Sequence, residues 1–238
     1  MENPVSHEIL IGRLFDALVS GDRDGVRAVV EETARRSIPA ESVLADLYWP
    51  VYENIERLYR ADQMTALSHH MATRLLRVLC DQAALRLTRQ APRGRSVFAA
   101  CGPNDADELA AQIAVDLLER EGFRVTFSGG GIAGDEIMGH VQETQPDVLL
   151  LFASAPPDLP GIRHMIDTLR EIGACKHLQI VVGGGVFNRA DGLAEEIGAD
   201  LWATSPAELV NAMVAFPERR ARASQHTVGR KRRIREAA

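Results

Sequence analysis

The sequence predicts an α/β protein in two parts, an N-terminal four-helix bundle followed by a doubly wound five-stranded parallel sheet. Three observations carry this. Residues 7–90 show helical periodicity and offer no strand candidate. After the polar stretch "RQAPRGRS", five short β-rich runs alternate with five helical segments. The third of these runs, "VLLLFA", is apolar without a break, as a strand buried on both faces requires. The domains are accordingly set at 1–90 for the bundle, 91–96 for the linker, 97–216 for the sheet domain and 217–238 for a basic tail.

In the bundle, Ile9, Leu10, Leu14, Ala17 and Leu18 form one stripe of a first helix. Asp22 or Asp24 starts a second, with Val26, Val29 and Val30 as its apolar side. The segment "IPAESVLADLYWPVYENIERLYRA" supplies a third, which Pro50 kinks or divides. A fourth runs from about Thr65 to Leu87 with Leu67, Met71, Leu75, Val78 and Leu79 turned inward. In the sheet domain the strands are expected at 96–101, 123–129, 147–154, 178–184 and 199–204. The helices between them are expected at 107–121, 133–144, 160–173, 188–197 and 206–215. Ligands of such sheets bind at the carboxyl ends of the strands, which directs attention to loops 101–108, 128–135, 154–160 and 183–189.

Composition bounds the function. Hydrophobic residues at 46% and charged residues at 25% are those of a soluble globular protein. No apolar run is long enough to span a bilayer, so no membrane association is expected. Cys80, Cys101 and Cys175 are far apart and form no CxxC pair, which points to reduced thiols and a cytoplasmic protein. Residues 217–238 carry eight Lys and Arg against Glu218 and Glu236, in a chain of net charge −6. An acidic body with a basic, dangling tail is the expectation. The Gly-rich stretch "SGGGIAGDE" fits neither the dinucleotide fingerprint nor the P-loop, so a nucleotide-binding enzyme is disfavoured. Asp147 starts its strand rather than ending it, which excludes a response-regulator phosphorylation site.

The loop after the first strand reads Asp105-Ala106-Asp107-Glu108-Leu109-Ala110; forty-three residues separate it from Ser154-Ala155-Pro156, and twenty-six more from Gly183-Gly184, with Gly185 following. Together with "LLEREGFRVTFSG" and "IGADLWATSPAEL", this spacing resembles the cobalamin-binding domain, with its D-x-H-x-x-G, S-x-L and G-G pattern and flavodoxin-like fold. The resemblance spans residues 8–216 and includes methionine synthase, corrinoid methyl carriers and cobalamin-based light-sensing regulators. In the family the histidine of D-x-H coordinates cobalt from below, and the aspartate orients it. Asp105 matches the orienting residue, whereas Asp107 stands where the ligand belongs and Ala110 where the glycine belongs. A carboxylate is a harder donor than imidazole and suits cobalt poorly. Read by itself, the acidic run with Asn104 or Asp105 as N-cap suits the first turn of a helix.

The bundle carries a second likeness. Light-sensor bundles hold a W-x9-E-H pattern over the upper face of the corrin, and Tyr59, His69 and His70 stand here at the same spacing. Neighbouring helical residues point about 100° apart, so only one of the two histidines can face a ligand. His70 is the candidate metal ligand, to cobalt or to iron. Ser154 matches the family's contact to the nucleotide tail, and Gly183, Gly184 and Gly185 let a ligand approach the backbone. His7, His164, His177 and His226 read as surface residues; His140 is retained because some related regulators use a histidine elsewhere.

The resemblance implies a tetrapyrrole-binding sensor: cobalamin as cofactor, haem as the alternative, signalling by rearrangement of bundle and sheet, and no catalysis of its own. A regulatory protein is the expected partner, with nucleic acid reached through 217–238 and a homo-oligomer formed through the bundle. The alternatives are an interaction module of the same fold without cofactor and, ranked below it because of Asp107, a corrinoid methyl-carrier subunit.

Overall fold

Leu10, Leu14 and Leu18 recur at helical spacing along α1 (Pro4–Ser20), and all three are buried. α2 (Arg23–Arg35) starts at Asp22, whose carboxylate accepts from the amides of Asp24 and Gly25 at 3.1 and 3.0 Å. The computed structural model describes residues 4–102, 105–173 and 175–221, with backbone alone for 4–6 and 105–107. It divides into two units, Met1–Ala91 with Gln112–Gly122, and Pro92–Ala111 with Phe123–Ala238.

In the first unit, α3 (Ala40–Ser42) passes through a π-helical stretch, Val43–Tyr48, into α4 (Trp49–Arg60). Pro50 has no N–H, so the Asp46 carbonyl loses its helical donor. His7 replaces it, its Nε2 lying 2.5 Å from that oxygen. The chain therefore runs on past Pro50 through a widened turn, with Val43, Leu44, Leu47 and Tyr48 all buried.

α5 (Ala66–Ala84) is capped by Thr65, whose hydroxyl accepts from Ser68 N at 3.1 Å. Its buried face is His69, Ala72, Leu76, Leu79, Cys80 and Ala83. The expected inward stripe is thus corrected: Leu67 and Val78 are 70% and 48% exposed. Both faces of α5 are apolar, and the one carrying Ala72 and Ala83 is the one that lets neighbouring helices approach closely. The second half of α6 (Asp105–Arg120) belongs to this unit. Gln90 N donates to Arg120 O at 2.7 Å, and Arg120 pairs with Glu41 at 3.2 Å. Asp116, on this half, is nearly buried; burial pushes its carboxyl up to about 7 against an opposing hydrogen bond from Gln112.

The second unit is a five-stranded parallel sheet in the order β2-β1-β3-β4-β5, with β1 Ser96–Cys101, β2 Arg124–Phe127, β3 Val148–Phe152, β4 Gln179–Gly183 and β5 Leu201–Trp202. Every residue of β3 and β4 is buried, as the unbroken apolar runs require. α7 (Gly134–Thr144), α8 (Leu159–Ile172) and α11 (Pro206–Ala215) follow β2, β3 and β5. Where a single helix was expected after β4, two short ones form, α9 (Gly185–Asn188) and α10 (Leu193–Glu196), broken at Gly192 with φ +77°.

The beginning of the expected dangling tail is pinned. At the amino ends of the strands, buried Gln179 donates to Phe216 O and Arg219 O at 2.9 and 3.1 Å. Asp200 accepts from Ala221 N at 2.6 Å, and Arg95 donates to Pro217 O at 3.3 Å. Residues 222–238, with His226 and most of the basic tail, lie outside the described residues.

Candidate cofactor site at the carboxyl edge of the sheet

The strand order reverses between β1 and β3, so the helices after these strands lie on opposite faces of the sheet and leave a crevice at their carboxyl ends. Backbone bonds brace this edge. Gly102 N donates to Phe152 O at 3.0 Å, Cys101 N to Gly129 O at 3.0 Å, and Ala153 N to Gly183 O at 3.0 Å. The candidate residues flank the crevice: the turn opening α6, with Asp105 and Asp107, follows β1, and Ser154 follows β3. The side chains of Asp105 and Asp107 and the Asn104 cap lie outside the described residues.

Two glycines fix the geometry. Gly184 has φ +103°, and a Cβ there would meet the Ala153 carbonyl oxygen at 2.2 Å. Gly130 crosses Gly102 so closely that its Cβ would lie 2.0 Å from that carbonyl oxygen. Glu108, in the first turn of α6, locks the crossing by accepting from Gly130 N at 3.1 Å. Gly183 is filled from the other side by the Phe152 ring, 2.8 Å from where a Cβ would stand. Gly185 begins α9. Ser154 is half-buried, and its carbonyl accepts from Arg189 at 2.5 Å. Glu108 and Phe152 were not singled out from the sequence; the acidic run beside a Gly-rich loop was the available signal for Glu108.

The bundle candidates lie in the first unit. His69 is buried, with Nε2 2.6 Å from the Glu56 carboxylate, itself 6% exposed. Tyr59 stacks on His69 with ring centroids 3.9 Å apart, and His70 is exposed, edge-on to His69 at 6.0 Å. His69 is thus engaged by protein on its Nε2 and on a ring face, and His70 is the histidine turned to solvent. Glu56 also lies 3.4 Å from Arg60. Sequence reading missed Glu56, because its partner lies thirteen residues away on another helix. His140 leans on Phe98, centroids 4.4 Å apart. Asp147 is at the opposite edge of the sheet, accepting from Ser96 N and Oγ at 2.7 and 2.8 Å. Among the described residues no group of three or more metal-ligating side chains forms, and no helix is long and apolar enough to cross a membrane.

Comparison with known proteins bears on these features. The B12 binding domain matches residues 95–211, and a second B12 binding domain model matches residues 10–82. Dimethylamine corrinoid protein 2 of Methanosarcina acetivorans is 26% identical over 86% of this chain and 94% of its own length. The dimethylamine corrinoid protein of Methanosarcina barkeri is 26% identical over 87% of this chain and 96% of its own. The monomethylamine corrinoid protein of Methanosarcina barkeri has the same fold, with a TM-score of 0.75 at 16% identity over 87% of this chain and 98% of that one.

These findings correct three expectations. The relatives are corrinoid proteins named for methylamines, which overturns the sensor reading. The interaction module without cofactor falls on the same ground. A regulatory protein and nucleic acid are likewise withdrawn as partners. With bundle and sheet domain both matched, the chain belongs to the cobalamin-binding domain family, and its cofactor is a corrinoid.

Proposed function

We propose that this protein is a corrinoid-carrying subunit that ferries a methyl group between methyltransferases, the donor being a methylated amine. The supporting observation is the joint likeness of bundle and sheet domain to methylamine corrinoid proteins along nearly their whole length. The cobalt of a bound corrinoid supplies the atom at which the methyl group is taken up and given away. The chain itself carries the group and leaves bond making and breaking to its partner enzymes.

The residues at the sheet edge fit a corrinoid in part. The narrow backbone at Gly184, braced against Ala153, leaves the end of β4 without a side chain beside Ser154. In this reading Ser154 and the Gly183–Gly185 turn would hold the nucleotide tail, and His70, exposed in the first unit, is a separate candidate to contact the cofactor. The turn after β1 contributes Asp107 rather than an imidazole, so the reading has no lower histidine bond. Glu108 and Gly130 keep this turn beside the Gly-rich loop in place of the anchoring that bond would provide.

The test is retention. Protein incubated with hydroxocobalamin and desalted is expected to keep about one equivalent of chromophore, and Ser154→Trp, which fills the tail site, is expected to keep none. Absence of chromophore in the parent protein sinks the reading. Carriage is tested separately by loading methylcobalamin and adding a thiol-methylating enzyme of a corrinoid system. Loss of the methyl group no faster than from free methylcobalamin would remove the carrier role and leave binding intact.

A further inference from the structure

Among the described residues, the bundle leaves a slot between two of its helices. α2 and α5 each pack along α1 but scarcely touch one another. Between them opens a cavity of about 310 Å³ lined by Val26, Val30, Leu75, Val78 and Leu79. Arg23, Arg27 and Glu31 stand along its α2 wall at successive four-residue steps, and Gln82 stands on the α5 wall. The α5 wall continues beyond the cavity as an apolar stripe. Met71, Leu75, Val78 and, at the C-cap, Leu85 lie on it at steps of four, three and seven, the spacing at which one helix meets another, with polar Gln82 interposed. Val78 and Leu85 are 48% and 89% exposed, which solvent alone does not favour.

We propose that this groove docks an amphipathic helix of a partner protein, with apolar residues at helical spacing facing the apolar walls and carboxylates over Arg23 and Arg27. Two helical walls with apolar inner sides, Val26 and Val30 on α2 and Leu75, Val78 and Leu79 on α5, suit a helix laid between them. Charge selects the sign: two guanidinium groups rim one end, in a chain of net charge −6. Arg27 is already paired with Asp24, but that pair is exposed, 64% and 91%, and is readily exchanged for a carboxylate on an incoming helix. Glu31 at the other end gives the occupant a direction, acidic toward Arg23 and not toward Glu31. The slot is formed by bundle residues alone, so its occupancy does not depend on the cofactor.

The probe is a fluorescein-labelled helical peptide of about 18 residues, long enough to run the groove, with Leu at every third or fourth position and Glu between. A second peptide carries Lys in place of Glu. Anisotropy with the full chain is expected to show the acidic peptide binding and the basic one not. Binding is expected to weaken with salt and to fall about tenfold or more in Arg23→Glu/Arg27→Glu, which favours the basic peptide instead. Val78→Asp is expected to abolish binding while thermal melting and cobalamin retention stay at parent values. Equal binding of both peptides, indifference to the two arginine changes, or no binding at about 1 mM protein overturns the proposal. Sedimentation over a concentration series supplies a further arm. A dimer that Val78→Asp dissolves would assign the slot to a second copy of the chain and overturn the partner helix.

Discussion

The Glu56 carboxylate and His69 Nε2 lie 2.6 Å apart with both side chains buried. The pair joins α4 to α5 beneath Tyr59, so Glu56, His69 and Tyr59 form one unit rather than independent contacts. Removing one member strands the other in a dry environment. Glu56→Ala is therefore expected to cost about 2–3 kcal/mol and Glu56→Gln, which keeps a hydrogen bond, about 1. Urea unfolding of the bundle checks this; equal losses for both variants would mean that the contact is not the source.

Asp116 makes a pH prediction. Its carboxyl is held up to about 7 by burial, while an unfolded aspartate titrates near 4. The folded state therefore binds the extra proton between these values, so stability is present below pH 4 and is lost as pH rises toward 7. Asp116→Asn removes that loss, with an upper bound of about 4 kcal/mol. The expected result is a higher melting temperature at pH 8 and a flatter profile from pH 4 to 7. Parallel profiles for parent and variant would contradict it.

At Gly184, φ and space both forbid a side chain. Gly184→Ala is expected to destabilise the sheet domain by about 2–4 kcal/mol and to lower corrinoid retention. Gly192→Ala is the control: its φ is +77° but its Cβ position is open, so a cost of about 1 kcal/mol is expected with retention unchanged. Thermal melts and desalting distinguish the two.

Gln179 holds two backbone carbonyls of the C-terminal segment from a fully buried position. Gln179→Leu keeps the volume but removes one donor from each carbonyl, leaving Phe216 O to Arg219 N and Arg219 O to the Arg220 guanidinium, at about 1–2 kcal/mol. Trypsin is expected to cut after Arg219 or Arg220 several-fold faster in the variant. An unchanged cleavage rate would show that Asp200 and Arg95 suffice.

Asp107→His tests the missing lower ligand. If the turn after β1 addresses the cobalt, the variant is expected to bind cobalamin more tightly and, after reduction to cobalt(II), to show nitrogen coupling in its EPR spectrum. That coupling changes with 15N-histidine labelling only if the new imidazole is bound. A spectrum insensitive to the label places the turn away from the metal.

The sheet domain was legible because each strand of a parallel sheet buried on both faces must be apolar without interruption, as at Val148–Phe152, and because turns separate the strands from helices of the other period. α5 was misread for the complementary reason. It is apolar on two faces, and composition cannot tell whether Leu75 and Val78 or Ala72 and Leu76 will meet α1. The Glu56–His69 pair and the Gln179 staple left no sequence period, since each joins distant positions through one side chain. The functional misreading had a similar source. Three cap positions, two of them altered, could not separate a regulator from a carrier built on the same scaffold.

The staple at Gln179 and Asp200 also settles how the sheet domain can be attached to something else. All five strands point the same way, so a chain pinned at Ala221 leaves from the rim opposite the loops that follow β1, β3 and β4. A probe attached at residue 221 itself would therefore sit on the back of the sheet, on the far side from the crevice.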